Sequence, residues 1–180
     1  VANRAALLDA ALRLYSEQGL DVPYEEIARQ AGVGRATLYR HFPNRDGLLV
    51  AILDHLVGEL EQIADATPAG PERFFAIFDA AVRLQERNLG LIDLLPSSAK
   101  PPRLVRELRG RIEMVFCEPL REAKDLDLIG TRVTIGDVRI LLSMMAPVIR
   151  PGTPTSERRR AQELARAALQ DRPSRPADGH

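Results

Sequence analysis

Between Arg29 and Arg45 the chain carries four arginines and His41 but no aspartate or glutamate, although its 25 basic and 25 acidic residues cancel overall. A guanidinium presents planar forks of N–H donors that match phosphate oxygens and the O6 and N7 of guanine. Thr37 and Tyr39, interleaved with these charges, add hydroxyls for phosphate and a ring that can meet a thymine methyl. Positive charge so localised, in a neutral chain, implies one surface that meets DNA rather than a protein that coats nucleic acid indiscriminately.

Other chemistry finds little support. Cys117 has no histidine near it in sequence, since His41, His55 and His180 lie in other segments, and it reads as a buried, inert thiol. The histidines and the cysteine show no metal-ligand spacing, and no G-x-S-x-G or phosphate-cradling glycine loop occurs. The reading is therefore of a protein that is not an enzyme and uses no metal or cofactor. A single cysteine excludes an intramolecular disulfide framework and suits a reducing cytoplasm. Arg4, Asp9, Arg13 and Glu17 interrupt the first segment, so no signal peptide or membrane span is expected.

The pattern is helical throughout. Leu8, Ala11, Leu12 and Tyr15 recur at helical spacing up to a stop at Gly19, which predicts a helix over about 3–18. Pro23 suits the first turn of a second helix that buries Ile27, Ala28 and Ala31 and ends at Gly32. Val33 and Gly34 make a turn, and a short third helix runs from Arg35 to about His41, anchored by Leu38 and Phe42.

Asn44 caps a long fourth helix with apolar residues from Leu49 to Ile63 at steps of three and four. Gly58 either eases bending there or admits a closely packed neighbour. TPAGP at 67–71 breaks the chain before a fifth helix that ends near Gly90. A short apolar helix at 91–95 is stopped by Pro96, Pro101 and Pro102. A helix over 103 to about 124 follows, with Pro119 set to kink it. Thr134 and Asp137 form a capping box for a helix reaching Pro147, a last helix covers about 156–170, and a polar, Pro-rich tail is expected to be disordered.

The segments LLDAALRLYSEQG and EEIARQAGVGRATLYRHFPNRDGLL resemble the tetracycline-repressor (TetR) family of bacterial transcription regulators over about residues 5–50. The resemblance implies an all-α homodimer, with an N-terminal three-helix helix-turn-helix domain (1–43) and a C-terminal helical ligand-binding and dimerisation domain (44–171). Helix 44–66 would connect them and 172–180 would form the tail. It also implies a regulator, in the repressor sense, released from a palindromic double-stranded operator when a small-molecule effector alters the spacing of two reading heads. Heads roughly 34–36 Å apart fit successive major grooves. The alternative is a TetR-like interaction protein that has lost specific DNA binding.

Residue by residue, Arg35, Ala36, Thr37, Tyr39, His41 and Arg45 fall where the family contacts DNA. On physical grounds Arg35 is the main base reader, while Arg40 and Arg45 clamp phosphates beside the N-terminus of the fourth helix. Two positions depart from the family pattern: Gly34 replaces a frequent serine cap, and Pro23 stands near a usual Ser or Thr, so Pro23 is not expected at the DNA. Only Arg4 is charged ahead of Asp9, where the family often carries a basic arm.

In the second half Phe74, Phe78, Met114, Phe116, Cys117 and Met144, with Phe75 and Met145, either line an adaptable apolar pocket or form ordinary core. As a pocket they would take a hydrophobic or amphipathic effector. Glu86, Asp93, Glu113 and Glu118 could receive a cation or sit on the surface. Dimerisation would use the helices near 134–149 and 156–170, with Ala161, Leu164, Ala165, Ala168 and Leu169 on one side and Glu157 to Arg160 as a solvated rim.

Overall fold

The computed structural model describes residues 2–19, 21–88, 103–149 and 152–170, and every regular element among them is an α-helix. In chain order these are α1 (Ala2–Gln18), α2 (Tyr24–Gln30), α3 (Arg35–His41), α4 (Arg45–Ala66), α5 (Arg73–Arg87), α6 (Arg103–Asp125), α7 (Ile135–Met145) and α8 (Thr155–Gln170). The expected helix at 91–95 and the tail from Asp171 lie outside the described residues. No helix among the described residues is long and apolar enough to cross a membrane.

The first three helices form a small unit around Leu7, Ala11, Tyr15, Ile27 and Leu38, all nearly inaccessible to solvent. Pro23 stands one residue ahead of α2, in an extended conformation, and not within its first turn as expected. The turn between α2 and α3 is closed by backbone. Val33 N–H donates to the Ala28 carbonyl at 3.0 Å and Gly32 N–H to Arg29 at 3.2 Å, with Gly32 at φ +67°. That paired closure needs a left-handed residue after the helix, a conformation that costs any side-chain-bearing residue about 1–2 kcal/mol.

Asn44 begins α4, accepting from the Gly47 N–H at 2.8 Å. At 22 residues α4 is about 33 Å long, enough to run from the first unit through the rest of the molecule. One hydrophobic cluster follows it, from Leu7 in α1 to Leu169 in α8. Its aromatic centre is Phe74, whose ring centroid lies 6.3 Å from that of Phe78 and 5.8 Å from that of Phe116. The helix of α6 continues on both sides of Pro119. Thr134 and Asp137 cap α7 reciprocally, as the capping-box spacing requires.

One expectation for α8 is refined and another changes. Ala165 and Leu169 are buried and Ala161 half-buried, whereas Leu164 is 54% exposed and Ala168 is exposed. The five span an arc of about 140° at 100° per residue, and the i, i+4 series along one edge of that arc packs inward while Leu164 and Ala168 on the other edge face outward. Arg158 is not solvated rim: it pairs with Glu86 of α5, and Arg166 pairs with Asp79.

Candidate nucleic-acid interface

Residues of α3 divide by helical spacing. Leu38 is fully buried and Phe42, just beyond, is 3% exposed, so these two hold α3 down. Arg35, Ala36, Tyr39 and Arg40 are exposed, while Thr37 and His41 are half-buried. Arg35, Ala36 and Thr37 occupy the first turn, the part of a recognition helix that reaches base edges when it enters the major groove. Arg40 has no ion-pair partner among the described residues, and Arg4, ahead of it in the chain, rests over the Phe42 ring at 5.5 Å.

Arg45, foreseen as a phosphate clamp, also makes a contact inside the protein. Its Nη2 donates to the Val22 carbonyl at 2.5 Å, drawing the side chain across the start of α4 to the α1–α2 connection. The nearby Tyr15 phenol is pushed up by burial, with the Arg45 charge acting against that shift. Arg45 therefore joins α4 to the three-helix unit.

Sequence reasoning passed over three residues of α2. Tyr24 donates to the Phe42 carbonyl at 2.6 Å, with the Asn44 carbonyl also within reach at 3.1 Å. Burial, followed by the neighbouring Tyr15 and Tyr39, pushes its pKa up to about 12, so the hydroxyl stays a donor at neutral pH. Glu25 accepts from Arg35 Nη2 and from the Tyr39 hydroxyl, both at 2.9 Å on the same Oε1. Glu26 pairs with Arg29.

Arg29 and Arg35 are thus each paired with an acid of α2, so the positive charge read between Arg29 and Arg45 is partly offset from within the unit. A window opened one turn earlier takes in both acids. Glu25 is held below the usual carboxylate range by its own backbone N–H first, and then by Tyr39 and Arg35. Neither Pro23 nor Gly34 supplies a side-chain cap, as their types dictate. The acids of α2 offset its helix dipole instead.

A cavity of about 380 Å³ lies among α4, α5, α6 and α7. Leu53, Leu56, Val57 and Leu60 of α4 form one wall, and Ile112 and Leu142 stand among the others. Its polar lining comprises Gln85, Arg109, Glu113, Arg139 and Ser143. Arg139 and Glu113 face each other at 3.6 Å, and the Gln85 Oε1 is buried without a hydrogen bond from any described residue.

None of the six residues proposed as pocket from the sequence lines this cavity. Phe74, Phe78 and Phe116 pack on one another in the core, Met114 and Met144 are 74% and 62% exposed, and Cys117 is exposed instead of buried. Met114 and Phe116 are two residues apart, about 200° around the helix, so grouping them by chemical type joined opposite faces. Of the acids considered for a cation, Glu113 reaches the cavity, Glu86 and Glu118 pair with Arg158 and Arg121, and Asp93 lies outside the described residues.

Residues 7–52 match the family described as bacterial regulatory proteins, tetR family. The chain is 45% identical over 65 residues to the HTH-type transcriptional regulator BetI of Rhizobium meliloti, covering 36% of this chain and 32% of that protein. It is 32% identical over 134 residues to the nucleoid occlusion factor SlmA of Vibrio campbellii, covering 68% of each. The matched region thus spans about a third of the first relative's length and about two thirds of the second's.

Among solved structures, a TetR transcriptional regulator from Streptomyces coelicolor superposes with a TM-score of 0.70 at 28% identity, covering 96% of this chain and 99% of that one. A TetR regulatory protein from Mycobacterium vanbaalenii gives 0.67 at 26%, covering 93% and 95%. The N-terminal three-helix unit matches that family's model and the helical fold as a whole superposes on these regulators, and the chain belongs to the tetR family of bacterial regulatory proteins.

Proposed function

We propose that this protein is a sequence-specific DNA-binding transcriptional regulator, acting as a homodimeric repressor that leaves a palindromic operator when a hydrophobic or amphipathic molecule binds. The observation that carries the reading is the continuity of α4. Its first turn is tied to the reading head through Arg45 and Val22, and its middle forms a wall of the cavity. A molecule that wedges α4 away from α6 and α7 would move the head with it, and a two-fold dimer needs its heads about one helical turn of DNA apart.

Arg35, Ala36, Thr37 and Tyr39 are assigned to base edges and nearby phosphates, Arg40 and His41 to phosphates, and Arg45 to holding the head on α4. Apolar walls and a polar rim containing Arg109, Glu113 and Arg139 suit an amphipathic effector. Ile140 and Met144 of α7 and Leu164 of α8 are large apolar residues at 50%, 62% and 54% exposure, which supports these helices as the dimer face.

Selection from a random DNA library, followed by binding of the enriched duplex across a salt series, tests the proposal. Enrichment of a palindrome with a steep salt dependence is the expected result. A second reading, an interaction protein that keeps the fold without selecting a sequence, is favoured by the two acids that neutralise Arg29 and Arg35. No enrichment at low salt, from folded dimer, would establish it in place of the first.

A further inference from the structure

The reading head carries a carboxylate among the side chains it would present to DNA, and phosphate binding gives no reason for one. Glu25 stands in the first turn of α2, on the other helix of the motif, with its side chain 40% exposed beside an Arg35 that is 71% exposed. Its Oε1 takes hydrogen bonds from Arg35 and Tyr39 together. These two are four residues apart on α3 and so share one face. Tyr39 is braced in turn by the Tyr24 ring, edge-on at 5.4 Å.

Two consequences follow, of opposite sign for DNA of arbitrary sequence and for the right site. A carboxylate here repels phosphates whatever the sequence, and it neutralises a charge that would otherwise add to non-specific binding. An arginine held by a partner before contact loses less rotamer freedom on meeting a base, provided the base suits the held orientation. The bond to Glu25 uses one terminal nitrogen of Arg35, and the remaining N–H donors of the guanidinium are outside it.

We propose that Glu25 is a specificity-determining positioning residue: it holds Arg35 and Tyr39 in one arrangement, narrowing the base accepted opposite Arg35 while lowering affinity for DNA of arbitrary sequence. The inference rests on α3 being the helix that contacts DNA.

The test compares the wild-type chain with E25Q, E25D, R35A and the E25Q/R35A double variant, on the selected duplex and a scrambled one of equal length across a salt series. Glu25→Gln is expected to bind the scrambled duplex more tightly and to lose about tenfold in the ratio of selected to scrambled affinity, within the range that one bidentate base contact discriminates. Glu25→Asp keeps the charge but is one methylene shorter, so it keeps weak scrambled binding and loses discrimination. In the R35A background, E25Q leaves preference at that base position unchanged.

An unchanged ratio in both E25Q and E25D overturns the inference, as does an equal fall with and without Arg35. A lower melting temperature with the ratio intact would make Glu25 a brace of the fold alone. A wild-type protein that selects no sequence sinks the DNA-binding reading itself, a distinguishable result.

Discussion

The Tyr24 hydroxyl donates to the Phe42 carbonyl at 2.6 Å, linking the start of α2 to the end of α3 at the point where the chain turns into α4. Neither residue lies on the exposed face of α3, yet the bond sets the angle between the two helices of the motif. Tyr24→Phe keeps the ring against Tyr39 and removes the donor. It should destabilise by about 0.5–1.5 kcal/mol in urea unfolding. It should also weaken operator binding beyond that loss, because the last turn of α3 is released; unaltered binding in the folded variant would make the bond irrelevant to recognition.

Arg40 and Arg45 separate two roles that their shared charge conceals. Arg40→Ala should leave the melting temperature unchanged and reduce the slope of log affinity against log salt by about one. Arg45→Ala should lower the melting temperature as well, since it removes the tie to Val22. Equal melting temperatures for the two variants would contradict the structural assignment of Arg45.

Gln85 gives a direct handle on the cavity. Its buried Oε1 lacks a donor among the described residues, a situation that costs about 1–3 kcal/mol while unsatisfied. Gln85→Leu should therefore raise the melting temperature of the ligand-free protein. The same change should weaken operator release by effectors that bear a hydroxyl or amide N–H more than by those that lack one. Thermal shift and DNA release across such a paired set of compounds would show whether the acceptor is used.

Acid should loosen α4 from α6. Arg111 reaches Asp54 at 2.5 Å and Glu61 at 2.7 Å, and the hydrogen bond from Arg111 holds the Glu61 carboxyl below its usual 4.5. A carboxyl depressed on folding stabilises fully above its unfolded value and progressively less as pH falls through the folded one. Wild-type melting temperature should thus drop on acidification below about 4.5, and Glu61→Gln should flatten part of that drop. Parallel curves for the two proteins would remove Glu61 from the account.

The proposed dimer face can be broken without touching the core. Met144 is exposed whereas the adjacent Met145 is buried at 3%. A charge at Met144→Glu should dissociate the dimer in sedimentation while leaving the helical signal of the monomer intact. Persistence of the dimer would place its interface elsewhere.

The helices and the reading motif were legible in the sequence, because the information that sets them is local. Gly32 after the second helix, Leu38 and Phe42 on the buried side of the third, and Asn44 at the head of the fourth each act through neighbours within one or two turns. Arg35, Ala36, Tyr39 and Arg40 follow as the outward remainder of that pattern.

Only the tertiary structure decided that Arg35 is compensated and where the cavity lies. Glu25 meets Arg35 because α2 and α3 cross, and Arg45 turns inward because the Val22 carbonyl is brought to it. The cavity walls are leucines, isoleucine and valine from α4 to α7, indistinguishable in sequence from core positions, whereas the aromatic and sulfur residues that drew notice went to the core or the surface. Local sequence determines which way a side chain points from its own helix. What stands opposite it depends on how helices distant in the chain pack, and that decides whether an arginine is paired and whether a leucine faces a neighbour or a space.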